Sequence, residues 1–188
     1  KMLLISRGVE DVDAFLNPTR EHLQSPTNLK GMAAGAGLYL RVVNAENSKV
    51  LIVVDSDNDG YTSAAIMYQY TKRLNPNCQV DYWLHEGKQH GLQDHIDKLR
   101  EQDFKYDLII LPDSSSNDAN YHDMLEEINT PCLILDHHLT DVKLSYNAIV
   151  INNQLCDYPN KFLSGAGVTW QFCRFLDFVL ESNYADRY

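Results

Sequence analysis

The chain has 188 residues, 44% hydrophobic and 22% charged, and its 16 Lys and Arg against 26 Asp and Glu give a formal net charge of −10. That composition excludes a disordered or fibrous chain and suits one large domain, while the acidic balance argues against a broad basic footprint for duplex nucleic acid. No apolar run reaches the roughly 20 residues of a membrane span, no secretory core opens the chain, and Cys78, Cys132, Cys156 and Cys173 lack CxxC or Cys/His zinc spacing, which favours free thiols in a reducing cytoplasm.

In chain order, residues 1–48 read as a helical, irregular lead-in, broken at Asn17-Pro18 and Ser25-Pro26, ahead of a main domain over 49–188. Within the lead-in, the Ala/Gly/Leu-rich stretch Leu29 to Val43 predicts a helix packed closely on its neighbours. Lys49 to Asp55 (KVLIVVD) has the length and apolarity of a buried strand, and Thr62 to Leu74 follows as a helix. A strand over Gln79 to Leu84, a helix over Leu92 to Gln102 and a buried strand over Asp107 to Asp113 come next. Then follow a helix from Asp118 to Ile128, strands over Pro131 to Asp136 and Ala148 to Asn152, and a helix from Gly165 to Leu180. Short β-branched runs alternating with helices predict an α/β fold: a doubly wound, mostly parallel sheet with helices on both faces and a helical N-terminal lead-in. Trp83, Trp170, Phe172 and Phe175 read as core, and His22, His95 and His122 as surface residues. The chain begins at Lys1 and stops at Tyr188 just past a strong helical pattern, so it reads as part of a longer protein.

Three of the strongest strand patterns end on acids: Asp55, Asp113 and Asp136. The carboxyl ends of parallel strands share one edge, where ligands bind, so these acids are expected to converge. Close carboxylates repel, and a divalent cation is the simplest group to hold them together. Asp55-Ser56-Asp57-Asn58-Asp59-Gly60 places acids at alternate positions, which in an extended loop point the same way. An EF-hand is a poor alternative: position twelve is Ile66 instead of Glu, and a strand precedes the loop. Asp136-His137-His138 combines carboxylate with imidazole, a donor set suited to Mn²⁺, Co²⁺ or Zn²⁺ more than to Ca²⁺.

Asp55-x-Asp57-x-Asp59-Gly60, Asp113 after an apolar strand and Asp136-His137-His138, in that order, resemble the DHH phosphoesterases. Within that superfamily the chain is most similar to the DHH domain of RecJ-type single-strand-specific exonucleases. The lead-in Val12-Asp13-Ala14-Phe15-Leu16-Asn17-Pro18 with Ser25-Pro26 and Met32-Ala33, the turn His90-Gly91-Leu92 and the stretch Ser164-Gly165-Ala166-Gly167-Val168 extend the likeness over about residues 9–180. The resemblance implies a two-metal phosphodiesterase, with Mn²⁺ the expected ion and Mg²⁺ the alternative. It assigns Asp55, Asp57, Asp59, Asp113, Asp136 and His137 to the metals and His138 and Asp136 to the catalytic set. It gives His90, Gly91, Ser164, Gly165 and Gly167 to the substrate; for Ser164 to Gly167, close helix–sheet packing is an equal alternative. The implied substrate is single-stranded DNA cleaved from the 5′ end, with a single-strand-binding or replication protein as partner and no membrane.

The chain departs from the pattern in three places. Asp113-Ser114-Ser115-Ser116 stands where this branch often has Asp-Cys-Gly, and His85 stands where an Arg is expected. The family's further ligand Asp after the last helix, and the smaller substrate-gripping domain beyond it, are not found up to Tyr188, and Asp177 and Asp186 are poor substitutes. Two rival functions follow from the same resemblance: hydrolysis of short oligoribonucleotides, cyclic dinucleotides or pyrophosphate, and a non-catalytic scaffold. Eroded acid/His motifs would mark the scaffold; here the set is intact.

Overall fold

The computed structural model describes residues 1–85, 87, 90–141 and 143–188. The apolar runs form five parallel strands: β1 (Lys49–Val54), β2 (Gln79–Leu84), β3 (Leu108–Pro112), β4 (Cys132–Asp136) and β5 (Ala148–Asn152). They lie in the order β2-β1-β3-β4-β5. Parallel strands covered on both faces bury every side chain, which is why β1, β3 and β4 are apolar without interruption. Successive side chains still alternate between faces. Val50, Ile52, Val54, Leu108, Ile110, Leu133 and Leu135 enter one core, and Leu51, Val53, Ile109, Leu111, Cys132 and Ile134 the other. At roughly 1.5–3 kcal/mol per large apolar side chain buried, these two layers dominate the favourable side of folding.

Two short helices, α1 (Met2–Ser6) and α2 (Val12–Leu16), open the chain. The first core is closed by α3 (Met32–Val43), α4 (Asn58–Leu74) and α7 (Gly165–Leu180), the second by α5 (Ile96–Arg100) and α6 (Ala119–Glu127). The doubly wound α/β expectation therefore holds. Val168, Phe172 and Leu176 form the buried stripe of α7 at four-residue spacing, and Met32, Ala36, Tyr39 and Val43 form that of α3 at spacings of three and four. No helix among the described residues is long and apolar enough to cross a membrane.

Three local expectations are corrected. The helix after β1 starts at Asn58 and not at Thr62, because the Asp57 side chain caps it by accepting the N–H groups of Asp59 and Gly60 at 2.9 and 3.0 Å. Asp59 therefore lies in the first turn of α4 and outside an extended loop, whereas Asp57 keeps extended backbone and a ligand atom close to Asp55. The helix expected over Leu92 to Gln102 is a 3-10 turn, Gln93–His95, leading into the short α5. His95 and His122 are buried, at 7% and 1% exposure. His95 stacks on His85 with ring centroids 4.5 Å apart, and burial, with His85 next, lowers its pKa to about 4.

Among the described residues neither ring nitrogen of His122 has a hydrogen-bond partner, and burial lowers its pKa. A buried polar group without a partner carries its desolvation penalty uncompensated. His122→Leu, which also favours the helix, is expected to stabilise the chain by about 1 kcal/mol. A urea-unfolding midpoint no higher than wild type would refute that account.

Candidate metal centre

The strand order reverses between β1 and β3: after β1 the chain crosses to β2 on one side, then returns to β3 on the other. A crevice opens at the carboxyl ends of strands at such a switch point. Asp55 follows β1, Asp113 follows β3 and Asp136 ends β4, so the three acids do meet at one edge. A cleft of about 680 Å³ lies there, lined among others by His90, Asp113, Asp136, His137 and His138.

Asp113 sits at the centre. Its side chain is 2% exposed, and His137 Nε2 approaches its Oδ1 at 3.2 Å without the alignment of a hydrogen bond, so Oδ1 is buried and has no partner among the described residues. Burial, then the charges of Asp59, Asp57 and Asp55, push its carboxyl up to about 8. Its backbone is left-handed, φ 71°, as is that of Ser115, φ 76°. Such conformations in non-glycine residues cost on the order of 1–3 kcal/mol and gather at functional sites. Among the described residues no Lys or Arg forms an ion pair with Asp55, Asp57, Asp59, Asp113 or Asp136.

Two donor groups emerge. Asp113, His137 and His138 can each bring one ligand atom within 4.8 Å of the others, and so can Asp55, Asp57 and Asp113. Asp113 belongs to both groups. A buried carboxylate common to an all-oxygen group and a mixed oxygen and nitrogen group, with no Lys or Arg paired to it among the described residues, suits divalent cations.

The DHH tripeptide is held by its own first residue. Asp136 Oδ1 accepts the backbone N–H groups of His137 and His138 at 2.7 and 3.2 Å and lies 2.8 Å from His138 Nδ1. Its Oδ2 accepts the N–H of Ser116 at 3.0 Å. Burial alone would raise this carboxyl, but the bonds from His138 and Ser116 outweigh it and hold the pKa at about 2. The same bond raises His138 to about 9. Asp136 thus organises the turn, leaving His138 Nε2 for the cleft.

A family description, "DHH family, N-terminal domain", matches residues 49–187. The chain belongs to the DHH family.

Over 187 residues the DHH chain is 35% identical to YorK of Bacillus subtilis (strain 168), which carries the name of an SPbeta prophage-derived single-strand DNA-specific exonuclease; the match covers 99% of this chain and 31% of YorK. Against the single-stranded-DNA-specific exonuclease RecJ of the same organism, identity is 27% over 180 residues, covering 93% of the chain and 22% of RecJ. The chain thus spans less than a third of the length of these relatives. The fold is shared with the crystal structure of RecJ in complex with Mn²⁺ from Thermus thermophilus, with a TM-score of 0.74 and 21% identity, covering 96% of this chain and 25% of that one.

The remaining predicted residues of the DHH chain fall in three places. Asp59 accepts the N–H groups of Gly165 and Ala166, both at 2.8 Å, at the start of α7, with its Oδ2 3.7 Å from His137 Nε2. The N–H of Gly167 is taken by Ser164 Oγ at 3.2 Å. The helix start expected to cradle phosphate therefore has these donors engaged within the chain. His90 Nδ1 lies 2.6 Å from Asp55 Oδ1, tying the His90–Gly91 turn to the first acid. Asp177 accepts from Tyr70, Ser182 and the Ala185 N–H and Asp186 pairs with Arg20, so both serve the far end of α7.

Sequence reasoning missed two supporting residues. Asp118 Oδ2 accepts the Leu92 N–H and the Ser115 hydroxyl, both at 2.8 Å, and a Cβ on Gly91 would fall on that carboxylate. Asn152 Nδ2 donates to Ser116 Oγ and to the His138 carbonyl, both at 2.9 Å. Asn152 was detectable, since it ends β5 on the same sheet edge as Asp136; Asp118 gave no signal beyond its place at a helix start.

Proposed function

We propose that this chain carries the metal centre of a single-strand-specific exonuclease that hydrolyses DNA from the 5′ end. The observation that carries this reading is Asp113, a buried carboxylate common to both donor groups, one of whose oxygens has no hydrogen-bond partner among the described residues. Asp55, Asp57 and Asp113 would hold one cation, and Asp113 with His137 a second. Mn²⁺ suits the mixed donors, with Mg²⁺ the harder alternative. When bound, the two ions supply Lewis-acid activation of water and neutralise charge on the phosphoryl oxygens. His138, kept protonated by Asp136, offers Nε2–H to a phosphoryl oxygen, and His90 orients Asp55 from the opposite wall. Asp59 fixes α7 against the acids in place of binding an ion.

The lead-in over 1–48 is proposed to pack on a DHH domain over 49–188, supported by the place of α3 in the first core. The four cysteines are free, which supports a reducing cytoplasm; a single-strand-binding or replication protein is the partner proposed from the relatives' names.

The test is Mn²⁺-dependent cleavage of a 5′-phosphorylated single-stranded DNA oligomer beside a dinucleotide. Asp136→Ala, which frees the DHH turn, is expected to lower the rate at least 100-fold. Shortening from the 5′ end that vanishes in the variant supports the exonuclease. Cleavage of the dinucleotide alone moves the reading to a small-substrate phosphodiesterase, and inactivity with no metal bound leaves a scaffold.

A further inference from the structure

β2 is an edge strand, and beyond α4 its first-core face is left uncovered. Tyr82 and Leu84 of β2 stand in register with Ile52 and Val54 of β1. These four floor a groove of about 290 Å³ walled by Tyr61, Ala64, Ala65 and Tyr68 of α4. Tyr61, Tyr68 and Tyr82 are 50%, 38% and 61% exposed, and the rings of Tyr68 and Tyr82 meet edge to face, with centroids 6.5 Å apart and planes at 89°. No lining residue carries a charge, although the chain has a net charge of −10. The groove and the metal centre are linked through the two ends of the β1–α4 connection. Val54 directly precedes Asp55, Tyr61 donates its N–H to the carbonyl of Asp57, the first-motif acid that caps α4, at 3.0 Å, and from there α4 carries the wall about 10 Å away at ~1.5 Å per residue.

We infer that this groove receives nucleobases of the strand whose backbone lies at the metal centre. The inference rests on the proposed function and adds where the bases go. Perpendicular tyrosines offer one ring to a base's face and the other to its edge, and stacking of this kind tolerates any base. An uncharged groove on an acidic chain would make stacking, and not phosphate pairing, the source of its grip, so its share of binding should depend little on salt.

The test combines photo-cross-linking with binding. A single-stranded oligomer carrying 5-iododeoxyuridine at successive positions is irradiated with the chain, and adducts are mapped by mass spectrometry. Adducts on Tyr61, Tyr68 or Tyr82 are expected; adducts only elsewhere overturn the inference. By fluorescence anisotropy, Tyr68→Ala with Tyr82→Ala is expected to weaken binding at least tenfold, equally at low and moderate salt, while the paired Phe variants bind as wild type. Unchanged binding and unchanged KM in the Ala pair overturn the groove while leaving the exonuclease standing. Adducts in the groove without any strand cleavage leave the groove and remove the exonuclease. A dimer that the Ala pair converts to monomer makes this face a contact between copies of the chain, which also overturns the inference.

Discussion

Asp113→Asn is expected to stabilise the metal-free chain while abolishing its response to Mn²⁺. Asp113 is buried, and its carboxyl is pushed up to about 8 by that burial and by Asp59, Asp57 and Asp55. Because the folded pKa lies above the unfolded one, the native chain binds this proton more tightly, and stability falls as pH rises from about 4 through 8. The penalty is complete above pH 8, where the uncharged amide removes it. The rise from 3.8 to about 8 is about four pKa units, so at ~1.4 kcal/mol per unit the gain is at most about 6 kcal/mol, or at most roughly 12–24 °C in the melting midpoint of a domain this size. In EDTA at pH 8.5 the variant should melt above wild type, with the gap closing by pH 5. Mn²⁺ should raise the wild-type midpoint alone, since the ions bind the ionised acid. A variant that melts below wild type in EDTA at pH 8.5 would show that the ionised carboxylate is already compensated.

Gly165→Ala is expected to disable the centre from outside it. A Cβ at this position would overlap the Asp113 carboxylate, and the residue's N–H is one of the two that hold Asp59. Asp113 or the start of α7 must move, and Asp113 serves both donor groups. Overpacking of this kind costs about 1–3 kcal/mol of stability, whereas cleavage should fall at least 100-fold, equivalent to about 2.7 kcal/mol of barrier. Gly60→Ala makes a useful contrast. Its Cβ would lie 2.5 Å from Asp55 Cβ and 2.6 Å from the Asp55 carbonyl oxygen, backbone that cannot rotate away, so fold and activity should fail together. Calorimetric Mn²⁺ titration beside thermal melts separates the two. Full activity in Gly165→Ala would show that Asp113 does not need its position against α7.

The strands were readable because a parallel strand buried on both faces must be apolar throughout, so β1, β3 and β4 announce themselves and their terminal acids mark the edge. What was hidden depends on packing. The DxDxDG segment looks extended until Asp57 is seen to cap α4, after which Asp59 falls in the first turn of that helix and accepts from α7. Histidines 95 and 122 occupy polar-looking stretches, and only the docking of α5 and α6 on the sheet buries them. Asp118 works through Leu92, 26 positions away, a separation that no local pattern encodes, whereas Asn152 could have been placed from the end of β5 beside Asp136.

The sheet order has a consequence for how such a protein can diversify. All three strand-end acids stand on the adjacent strands β1, β3 and β4, while β2 is an edge unit inserted in the chain between the first two. That excursion carries the tyrosine groove and leads into the His90–Gly91 turn. On the proposed reading, Tyr68 and Tyr82, at the far end of that excursion, can change the surface beside the site while Asp57, Asp59 and His90 keep their places among the acids.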